Sequence, residues 1–407
     1  MSSRSAGTFT SGSRGWSIGD IPGGERVGRR VTHRICIDRT VSANGLRSMK
    51  SSRYRVIQWA TGAVGTHALR SLVEDPQFEL VGVYVHSRAK VGCDAGALAG
   101  LAAHTGIAAT DDASSLLATA ADCVVYTAVG ETRPREAVAE IAALLRSGKN
   151  VVSTSMMNLI HPASAHPKVR AKLEAACTDG GTTLFTNGID PGFSGDLMPL
   201  AALALCDRVD SIRVQELADY GTHPDASWAA PFGFGQRPDA PAPILAPGVP
   251  TLYWGGMVRL LAEALHVSLD TVSETTERYV ATERFEVPMT VIEAGTVSAI
   301  RFEVAGIVAG RPVICAEHVT RTRADQAPAW PKPPGGRGSA HRVVIEGTPS
   351  LTLDLSLTGG AFGRGGVLAT AMRVVNAIPA VCEAPPGLVT TLDLPIAPGR
   401  ALLRPRS

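Results

Sequence analysis

The stretch YRVIQWATGAVGTHALRSL, residues 54–72, decides the fold of this 407-residue chain. A short apolar run at 56–59 is followed by a glycine-containing turn and then by an apolar pattern typical of a helix. A strand, a glycine turn and a helix start can hold the pyrophosphate of a dinucleotide, because the backbone approaches the phosphates and the helix dipole favours an anion. The pattern therefore predicts a Rossmann-type β–α unit.

The turn itself reads A-T-G-A-V-G, whereas the full dinucleotide fingerprint is G-x-G-x-x-G. Ala60 replaces the first glycine, which matters only if that position requires a positive φ. Taken alone, the turn is either a phosphate-binding loop or a tight β–α connection that binds nothing. As a phosphate-binding loop, it would contact the cofactor through five consecutive residues: Thr61, Gly62, Ala63, Val64 and Gly65.

Composition narrows the class of protein. The chain is 45% hydrophobic and 19% charged, which suffices for two or three domains with buried cores. The net charge of +2, without a long basic patch, gives no indication of nucleic-acid binding. Seven cysteines lack a C-x-x-C pair, which predicts free thiols, a reducing compartment and no metal site. No apolar run reaches the roughly 18 residues of a membrane-spanning helix, so we expect a cytoplasmic protein without a membrane partner.

The pattern along the chain divides it into four parts. Residues 1–48 are rich in Ser, Gly and Arg and predict a disordered tail. Residues 49–207 alternate short apolar strands with helices, which indicates a parallel sheet covered on both faces. Residues 208–365 contain longer alternating strands and one helix, typical of an α+β domain. Residues 366–407 form a terminal helix and tail. The expected fold is α/β: a Rossmann-type domain followed by a mostly antiparallel α+β domain.

Individual elements follow from periodicity. In the first domain we expect strands at 56–59, 80–85, 123–127, 151–153 and 184–186, and a helix at 134–147. In the second domain we expect strands at 211–217, 297–307, 312–323, 342–346 and 351–357, with a helix at 253–265. Within 297–307, the apolar side chains of Ile300, Phe302 and Val304 face one way, while Arg301 and Glu303 face the other.

The second strand ends in H-S-R-A-K, residues 86–90. NAD-binding units place an acid about 20 residues after the glycine motif, where it binds the ribose 2′-hydroxyl. No acid occupies that place here, and Ser87, Arg88 and Lys90 offer a hydroxyl and two cations that suit a 2′-phosphate. The loop, including His86, therefore predicts NADP, with NAD as the alternative cofactor. An ordinary solvated basic loop would also explain the two cations, though not their position.

Ligands of open parallel sheets bind outside the carboxyl ends of the strands. The next three strands end in T-A-V-G-E-T (127–132), S-T-S-M-M-N (153–158) and N-G-I-D-P-G-F (187–193). These loops supply further predicted cofactor contacts: Thr127, Ala128, Ser153, Thr154, Asn187, Asp190 and Pro191. Asn376, near the end of the terminal helix, is another candidate, although a helix C-cap explains an asparagine there equally well.

Candidates for proton transfer are fewer. Glu131 and His161 follow predicted strands near the expected nicotinamide and are our catalytic candidates. A carboxylate that starts a helix and a histidine in a surface loop are the respective alternatives. Past the first strand of the second domain, four polar residues are either substrate contacts or a polar strand edge: Glu216, Asp219, Tyr220 and His223. Nearby aromatic residues predict a fairly apolar substrate: Trp228, Phe232, Phe234, Tyr253 and Trp254.

Several segments also carry a family resemblance: IQWATGAVG, VYVHSRAKVGCDAG, VVYTAVGETRP, NVVSTS, NGIDPGF and RVVNAIPAVCEAPPGLVT. They resemble the bacterial dihydrodipicolinate-reductase-like proteins, in the branch of 2,4-diaminopentanoate dehydrogenase and the native amine dehydrogenases. The resemblance covers about residues 54–395. It implies a Rossmann domain, a C-terminal domain that completes the substrate cleft, a terminal helix returning to the first domain, and a homodimer. It also implies NAD(P)H-dependent reduction of a C=N bond or oxidation of the amine.

Two departures from the family pattern limit what the resemblance implies. The lysine- and histidine-bearing signature of true dihydrodipicolinate reductases is missing, so that step of lysine synthesis is not predicted. Amine dehydrogenases of the group carry a glutamate in an S-T-C-E-E-like segment, whereas residues 153–158 contain no carboxylate, and reductive amination with free ammonia is not favoured. We expect an oxidoreductase that exchanges hydride with an imine, amine or carbonyl carbon. A catalytically quiet NADP-binding sensor or scaffold is the alternative.

Overall fold

The computed structural model describes residues 53–223, 226–336, 338–358, 364–396 and 398–399. These residues belong to one compact unit, Ser51–Ser407. The predicted disordered tail, residues 1–48, lies outside the described residues.

The elements of the first half alternate between strand and helix. In chain order they are β1 (Tyr54–Trp59), α1 (Ala63–Glu74), β2 (Phe78–Tyr84), α2 (Ala95–Leu98), β3 (Ala109–Thr110), α3 (Ala113–Ala118), β4 (Cys123–Tyr126), α4 (Pro134–Arg146), β5 (Asn150–Ser153), α5 (Pro167–Gly180), β6 (Thr183–Thr186) and α6 (Leu197–Leu203). The second half continues with β7 (Arg208–Asp219), α7 (Ala229–Phe232), α8 (Val249–Ala264), β8 (Thr271–Val280), β9 (Phe285–Val287), β10 (Thr290–Ile292), β11 (Val297–Val308), β12 (Arg311–Arg321), β13 (Ala340–Thr348), β14 (Leu351–Leu355), α9 (Arg364–Val375), α10 (Ile378–Glu383) and β15 (Gly387–Val389).

The first sheet has the order β15-β6-β5-β4-β1-β2-β3, and its strand pairs are parallel. Apart from β15, this is the strand order of a dinucleotide-binding fold. The central strands are buried on both faces, which explains why β4 and β5 read as continuous apolar runs. Because all strands are parallel, the loops after β1, β2, β4, β5 and β6 meet along one edge. The predicted Rossmann-type sheet is confirmed.

The second sheet has the order β14-β13-β7-β12-β11-β8. Only β7 and β12 pair in parallel among its described strands, and the other pairs are antiparallel. Helix α8 packs on one face, where Trp254, Met257 and Leu261 join Phe302 of β11 in a single apolar core. The prediction of a mostly antiparallel sheet with a helix is confirmed, and β8 is an edge strand that periodicity did not reveal.

The C-terminal segment packs against the first sheet. Residues of α9 and α10, among them Val374, Ile378 and Val381, share a core cluster with Val56 of β1 and Leu72 of α1. Strand β15 pairs in parallel with β6 and becomes the seventh strand. From the sequence we predicted one terminal helix followed by a tail; the second helix, α10, and the strand β15 were not predicted.

One helical stretch among the described residues, Gly365–Glu383, is long and apolar enough by composition to cross a membrane, with a mean hydropathy of 1.4. It is divided into α9 and α10, and Ala371, Val374, Val375 and Ile378 are fully buried in the core. Packing on α1 and the first sheet therefore buries these side chains, whereas Leu368 in the same stretch is exposed.

Candidate active site

The turn after β1 is shaped to receive an anion. Ala60 has a φ of 74°, so the first fingerprint position does require the left-handed conformation, and alanine tolerates it at a cost of about 1 kcal/mol. A Cβ on Gly62 would meet no protein atom within 4 Å, while a Cβ on Gly65 would lie 2.3 Å from the carbonyl oxygen of Ala60. Helix α1 has no acid in its first turn and no side-chain cap, which leaves its N–H groups for a ligand. The turn fits a pyrophosphate.

A buried amide supports this turn from behind. Gln58 Nε2 donates to the carbonyl oxygen of Ala60 at 2.8 Å and to Thr127 Oγ1 at 2.9 Å. Thr127 Oγ1 lies 3.1 Å from the same carbonyl oxygen, and Ala128 is buried beside it. The structure therefore gives Thr127 a supporting contact, and direct contact of Thr127 or Ala128 with the cofactor stays a prediction.

The loop after β2 brings a cation to the turn. Lys90 Nζ donates to the carbonyl oxygen of Thr61 at 2.8 Å and to its Oγ1 at 3.1 Å. Ser87 and Arg88 are exposed in the same loop. Lys90 is thus placed at the glycine turn, and contact of Ser87 and Arg88 with a 2′-phosphate stays a prediction.

His86 takes part in a separate cluster. Its ring lies edge-on to Tyr84 at 5.0 Å, and its Nε2 lies 3.8 Å from Glu140 Oε1. Burial, followed by the charge of Arg133, lowers the pKa of His86. Tyr84 in turn stacks on Trp59, whose indole donates to Glu140 at 3.2 Å. His86 therefore lies just after the end of β2 with its ring edge-on to Tyr84, and its contact with the cofactor stays a prediction.

Glu131 holds two neighbouring loops together. Its Oε1 accepts from the backbone N–H of Met156 at 2.9 Å, and its Oε2 accepts from that of Gly130 at 3.1 Å. A carboxylate therefore does lie at segment 153–158, although it comes from the loop before it. Ser153 Oγ stays within that segment and donates to the carbonyl oxygen of Ser155, and Thr154 is half-buried. Because both oxygens of Glu131 accept backbone N–H groups, the geometry favours a positioning contact over proton transfer.

His161 is not a surface residue, so the surface-loop interpretation was wrong. Its side chain is buried against α8, where a Cβ on Gly256 would approach it at 3.6 Å. Nδ1 lies 2.9 Å from Ser164 Oγ, and Nε2 lies 3.0 Å from Glu263 Oε2. Both ring nitrogens are thus engaged at the contact between the halves, away from the cavity described below, and the catalytic assignment gains no support.

The loop after β6 contains a buried polar network. Asn187 Nδ2 donates to Asp196 Oδ2 at 2.7 Å, and Thr391 Oγ1 donates to the same oxygen at 2.6 Å. Arg373 donates to Thr391 at 3.0 Å. Asn187 and the buried Pro191 therefore shape the loop from inside, and their contact with the cofactor stays a prediction. Asn376 lies at the end of α9 opposite to the residues that line the cavity, and its predicted cofactor contact gains no support.

A cavity of about 640 Å³ lies between the two halves. The first half contributes Val64, at the start of α1, and Ile189, and the second half contributes Glu216, Tyr220 and His223. Further walls come from the starts of β13 and α9 and the end of β14: Ala340, His341, Leu355, Leu357, Val367 and Thr370. Three of the four polar candidates of the second domain thus face the cavity.

Two of the residue assignments for this cavity need correction. Asp219 turns away, since its Oδ1 accepts from the backbone N–H of Gly221 at 2.8 Å. Of the five aromatic residues predicted to line an apolar site, only Trp228 does. Phe232, Phe234 and Trp254 are buried in the core of the second domain, because their spacing reflects packing under the sheet. Tyr253 packs at the margin of that core.

The wall of the cavity contains a row of three titratable residues on adjacent strands. Strand register places Glu216 of β7 directly between His318 of β12 and His341 of β13. His318 Nδ1 lies 2.8 Å from Glu216 Oε2, and its ring stacks on Phe302 at 4.8 Å and 3°. Burial alone would raise the pKa of Glu216, but the charges of His318 and His341 outweigh it and lower that pKa. The reciprocal effect of Glu216 outweighs burial and raises the pKa of His318.

Asp190 closes the row from the first half. Its Oδ1 accepts from the indole N–H of Trp254 at 2.6 Å and its Oδ2 from Ser194 Oγ at 3.0 Å, and His341 Nδ1 lies 3.8 Å away. Burial, followed by the charge of Glu216, raises the pKa of Asp190 to about 6. Two carboxyl groups in one site with opposite pKa shifts are a common basis for acid–base chemistry. Asp190 therefore lies against Trp254, Ser194 and His341, and its predicted contact with the cofactor gains no support from this geometry.

The raised pKa of Asp190 has a testable consequence. The pKa of Asp190 in the folded chain, about 6, lies above the ordinary value of an aspartate, 3.8, so the folded chain keeps this proton to higher pH and loses stability as pH rises towards about 6. Between about pH 5 and about pH 7.5 the loss is about 1.4 kcal/mol. Asp190→Asn is expected to lack it, so its stability relative to the wild type should rise by that amount over the interval, as measured by chemical unfolding. Asp239→Asn, at an exposed position, should show no such change with pH. A parallel dependence in Asp190→Asn and wild type would refute the shift.

His318 and His341 were not identified from the sequence, and Trp254 was named only as an aromatic residue of an apolar substrate site. Both histidines lie more than 100 positions after Glu216, on other strands, and no local sequence motif joins them to it. Only strand register could have revealed His318 and His341, because both are cross-strand neighbours of Glu216.

Comparisons with known proteins agree with this architecture. The family model described as the 2,4-diaminopentanoate dehydrogenase C-terminal domain matches residues 193–404, and the dihydrodipicolinate reductase N-terminus matches residues 56–158. An amine dehydrogenase of Streptomyces virginiae is 44% identical over 348 residues, which cover 84% of this chain and 96% of that protein. The 2,4-diaminopentanoate dehydrogenase of Acetoanaerobium sticklandii is 24% identical over 268 residues, 64% of this chain and 71% of the relative.

Among solved structures, an amine dehydrogenase from Mycobacterium smegmatis superposes with a TM-score of 0.69 at 23% identity, over 86% of this chain and 98% of that one. At that identity the likeness shows the shared fold. The relatives named here give no support to a catalytically quiet sensor or scaffold. The chain belongs to the dihydrodipicolinate-reductase-like family, in the branch of the amine dehydrogenases and 2,4-diaminopentanoate dehydrogenase, and is an NAD(P)-dependent oxidoreductase.

Proposed function

We propose that this chain is an NADP-preferring amine dehydrogenase that oxidises a small amine with an apolar arm, or reduces the corresponding imine. The observation that carries the proposal is the cavity between the halves, which runs from Val64 at the start of α1 to the wall formed by Glu216 and His341. A phosphate-binding turn and a row of acid and histidine side chains thus border one space. The names of the relatives support an amine as the substrate.

The residues of the turn fit a dinucleotide. Gly62 leaves room for a phosphate, the free N–H groups of α1 favour its charge, and Lys90 adds a cation at Thr61. Ser87 and Arg88 are suited to a 2′-phosphate on the adjoining ribose. When bound, the nicotinamide supplies the hydride acceptor for amine oxidation and the hydride donor for the reverse reaction.

The walls suggest how a substrate is held. Trp228 and Leu357 are exposed large apolar side chains that line the cavity, with Leu355 beside them. They offer a surface for the apolar arm. Burial, followed by the charges of Glu216 and Asp190, raises the pKa of Tyr220, so its hydroxyl stays protonated and can donate a hydrogen bond. In the complete reaction, the protonated amine, water and the oxidised cofactor give the carbonyl product, ammonium, the reduced cofactor and one proton.

The direct test follows the absorbance of the reduced cofactor. Purified protein is incubated with NADP⁺ and a panel of primary amines with alkyl or aryl arms, and in reverse with NADPH and preformed cyclic imines or ketones with ammonia. We expect turnover with at least one apolar primary amine and its imine. Tight NADPH binding without turnover of any amine, imine or ketone would refute the proposed activity.

Cofactor preference has its own prediction. Arg88→Ala should weaken NADPH binding about tenfold, because a charge-assisted contact to phosphate is worth about 1.5 kcal/mol. NADH, which lacks the 2′-phosphate, should bind to the variant nearly as it binds to the wild type. Fluorescence titration with both cofactors measures the difference, and Arg135→Ala, at an exposed position on α4, is the matched control. Equal losses for both cofactors would remove Arg88 from the 2′-phosphate site.

We also propose a cytoplasmic homodimer. Support for the compartment comes from the cysteines, since the six in the described part of the chain are free thiols. Support for the dimer comes from the family resemblance. Light scattering of the purified chain, with and without cofactor, tests the oligomeric state, and fractionation of cells that express the chain tests the compartment.

A further inference from the structure

We propose that Glu216 is the catalytic residue that binds the nitrogen of the substrate, as a carboxylate counter-ion to the ammonium group and to the iminium formed from it. The inference rests on the proposed amine dehydrogenase function and assigns the nitrogen-binding group within it. Residues 153–158 contain no carboxylate of their own that could fill this role.

Glu216 is accessible from the cavity. Glu216 lines the cavity, and 21% of its side chain is exposed, whereas the side chain of Asp190 is only 6% exposed and does not line the cavity. Glu216 is therefore the carboxylate of this cluster that a ligand reaches. Glu216 lies in the last third of β7, and Val64 at the start of α1 lines the same cavity.

Glu216 has a carboxylate oxygen that can accept a hydrogen bond from a ligand. Both oxygens of Glu131 accept backbone N–H groups, and those of Asp190 accept from Trp254 and Ser194. For Glu216 the described contact is the one at 2.8 Å between Oε2 and His318 Nδ1. Its Oε1 is the carboxylate oxygen left to accept a donor from the cavity.

The groups around Glu216 favour its ionised form. The groups that face Glu216 are His318 on β12, His341 on β13, Asp190 from the loop after β6, and Tyr220 further along β7. The two histidines lower the pKa of Glu216, so it remains ionised near neutral pH, where a primary amine is protonated. A fixed anion next to the reacting carbon stabilises a cationic iminium, since the low-dielectric wall strengthens the attraction.

The cavity that Glu216 lines also offers apolar contacts for the rest of the substrate. With the nitrogen at Glu216, the apolar arm has Leu355, Leu357 and Trp228 available along the same cavity. Charge recognition and apolar contact thus occupy different parts of one wall.

The experiment measures binding with a probe that cannot react. 2-Phenylpropan-2-amine has no hydrogen on the carbon that bears nitrogen, so it cannot be oxidised, and 2-phenylpropan-2-ol is its neutral counterpart. Calorimetry with the full chain and NADP⁺ compares wild type with Glu216→Gln and Glu216→Asp. We expect Glu216→Gln to weaken the amine about tenfold or more, as the loss of a charge-assisted contact predicts. We expect it to leave the alcohol unchanged, and Glu216→Asp to restore much of the amine affinity.

Controls keep the test decisive. Glu277→Gln removes a carboxylate that pairs with Arg301 on the other face of the same sheet, and it should leave amine binding unchanged. Unfolding curves and NADPH titration verify that each variant is folded. Equal amine affinity in Glu216→Gln and wild type, or equal losses for amine and alcohol, would overturn the inference while wild-type turnover still supported the function. Charge-dependent binding without any turnover would support the inference and refute the function.

Discussion

Gly65→Ala is expected to lower the free energy of unfolding by about 3 kcal/mol, a cost typical of severe overpacking, and to abolish tight cofactor binding. The new Cβ would lie 2.3 Å from the carbonyl oxygen of Ala60 and 2.6 Å from Thr127 Oγ1. The first of these atoms belongs to the backbone, and Ala60 already has a positive φ of 74°. Helix α1 would therefore have to move away from β1, and its N–H groups would move with it. Chemical unfolding and NADPH titration measure the two effects.

Gly62→Ala is the matched control in the same turn. Its Cβ would meet no protein atom within 4 Å, so the stability loss should stay under about 1 kcal/mol, the cost of alanine at a helix N-cap. Cofactor affinity should still fall, because the methyl group occupies the space left for a phosphate. If Gly65→Ala were as stable as Gly62→Ala, close helix–strand packing would not be the role of Gly65.

The contrast between these glycines shows what local sequence can predict. Strand, turn and helix over residues 54–72 were legible because each is defined by neighbouring residues. The same holds for the parallel sheet, since its strands are short, apolar and separated by helices. The sequence showed that alanine at position 60 would matter only if this position required a positive φ, and the structure shows that it does. Strand β15 was not foreseen, because three residues gain strand structure only by pairing with β6, about 200 positions away.

The substrate side was harder to predict for the same reason. Glu216 and Tyr220 were named from polarity alone, and the assignment of Asp190 to the cofactor was made from a loop. What joins them to His318, His341 and Trp254 is strand register and the docking of α8, which single-sequence periodicity does not contain. The aromatic residues misled the sequence analysis because core and ligand surfaces use the same side chains.

The opposite face of the second sheet carries a network that periodicity described only in part. Alternation along β11 correctly placed Arg301 and Glu303 on the face away from Phe302. It did not show that this polar face closes over a carboxylate. The side chain of Glu317 is 1% exposed and accepts from Arg213 at 2.8 Å, Gln215 at 2.7 Å and Arg301 at 2.7 Å.

Glu317→Ala is therefore expected to cost about 3–5 kcal/mol, the usual penalty for removing one partner of a buried ion pair. Arg213 and Arg301 would lose one of the two carboxylates that they share, Glu303 being the other, and Gln215 would lose its partner inside the sheet. Glu277→Ala, whose carboxylate pairs with the same Arg301 but is 48% exposed, should cost less than about 1 kcal/mol. Urea unfolding of both variants separates the two cases. Equal, small losses would mean that solvent reaches this face and that the network is a surface one. A large loss confined to Glu317→Ala would show that charge on one face and apolar packing on the other both stabilise the pairing of β7, β11 and β12. These strands carry Glu216 and His318, so the same ion pairs would then help to hold both side chains in place.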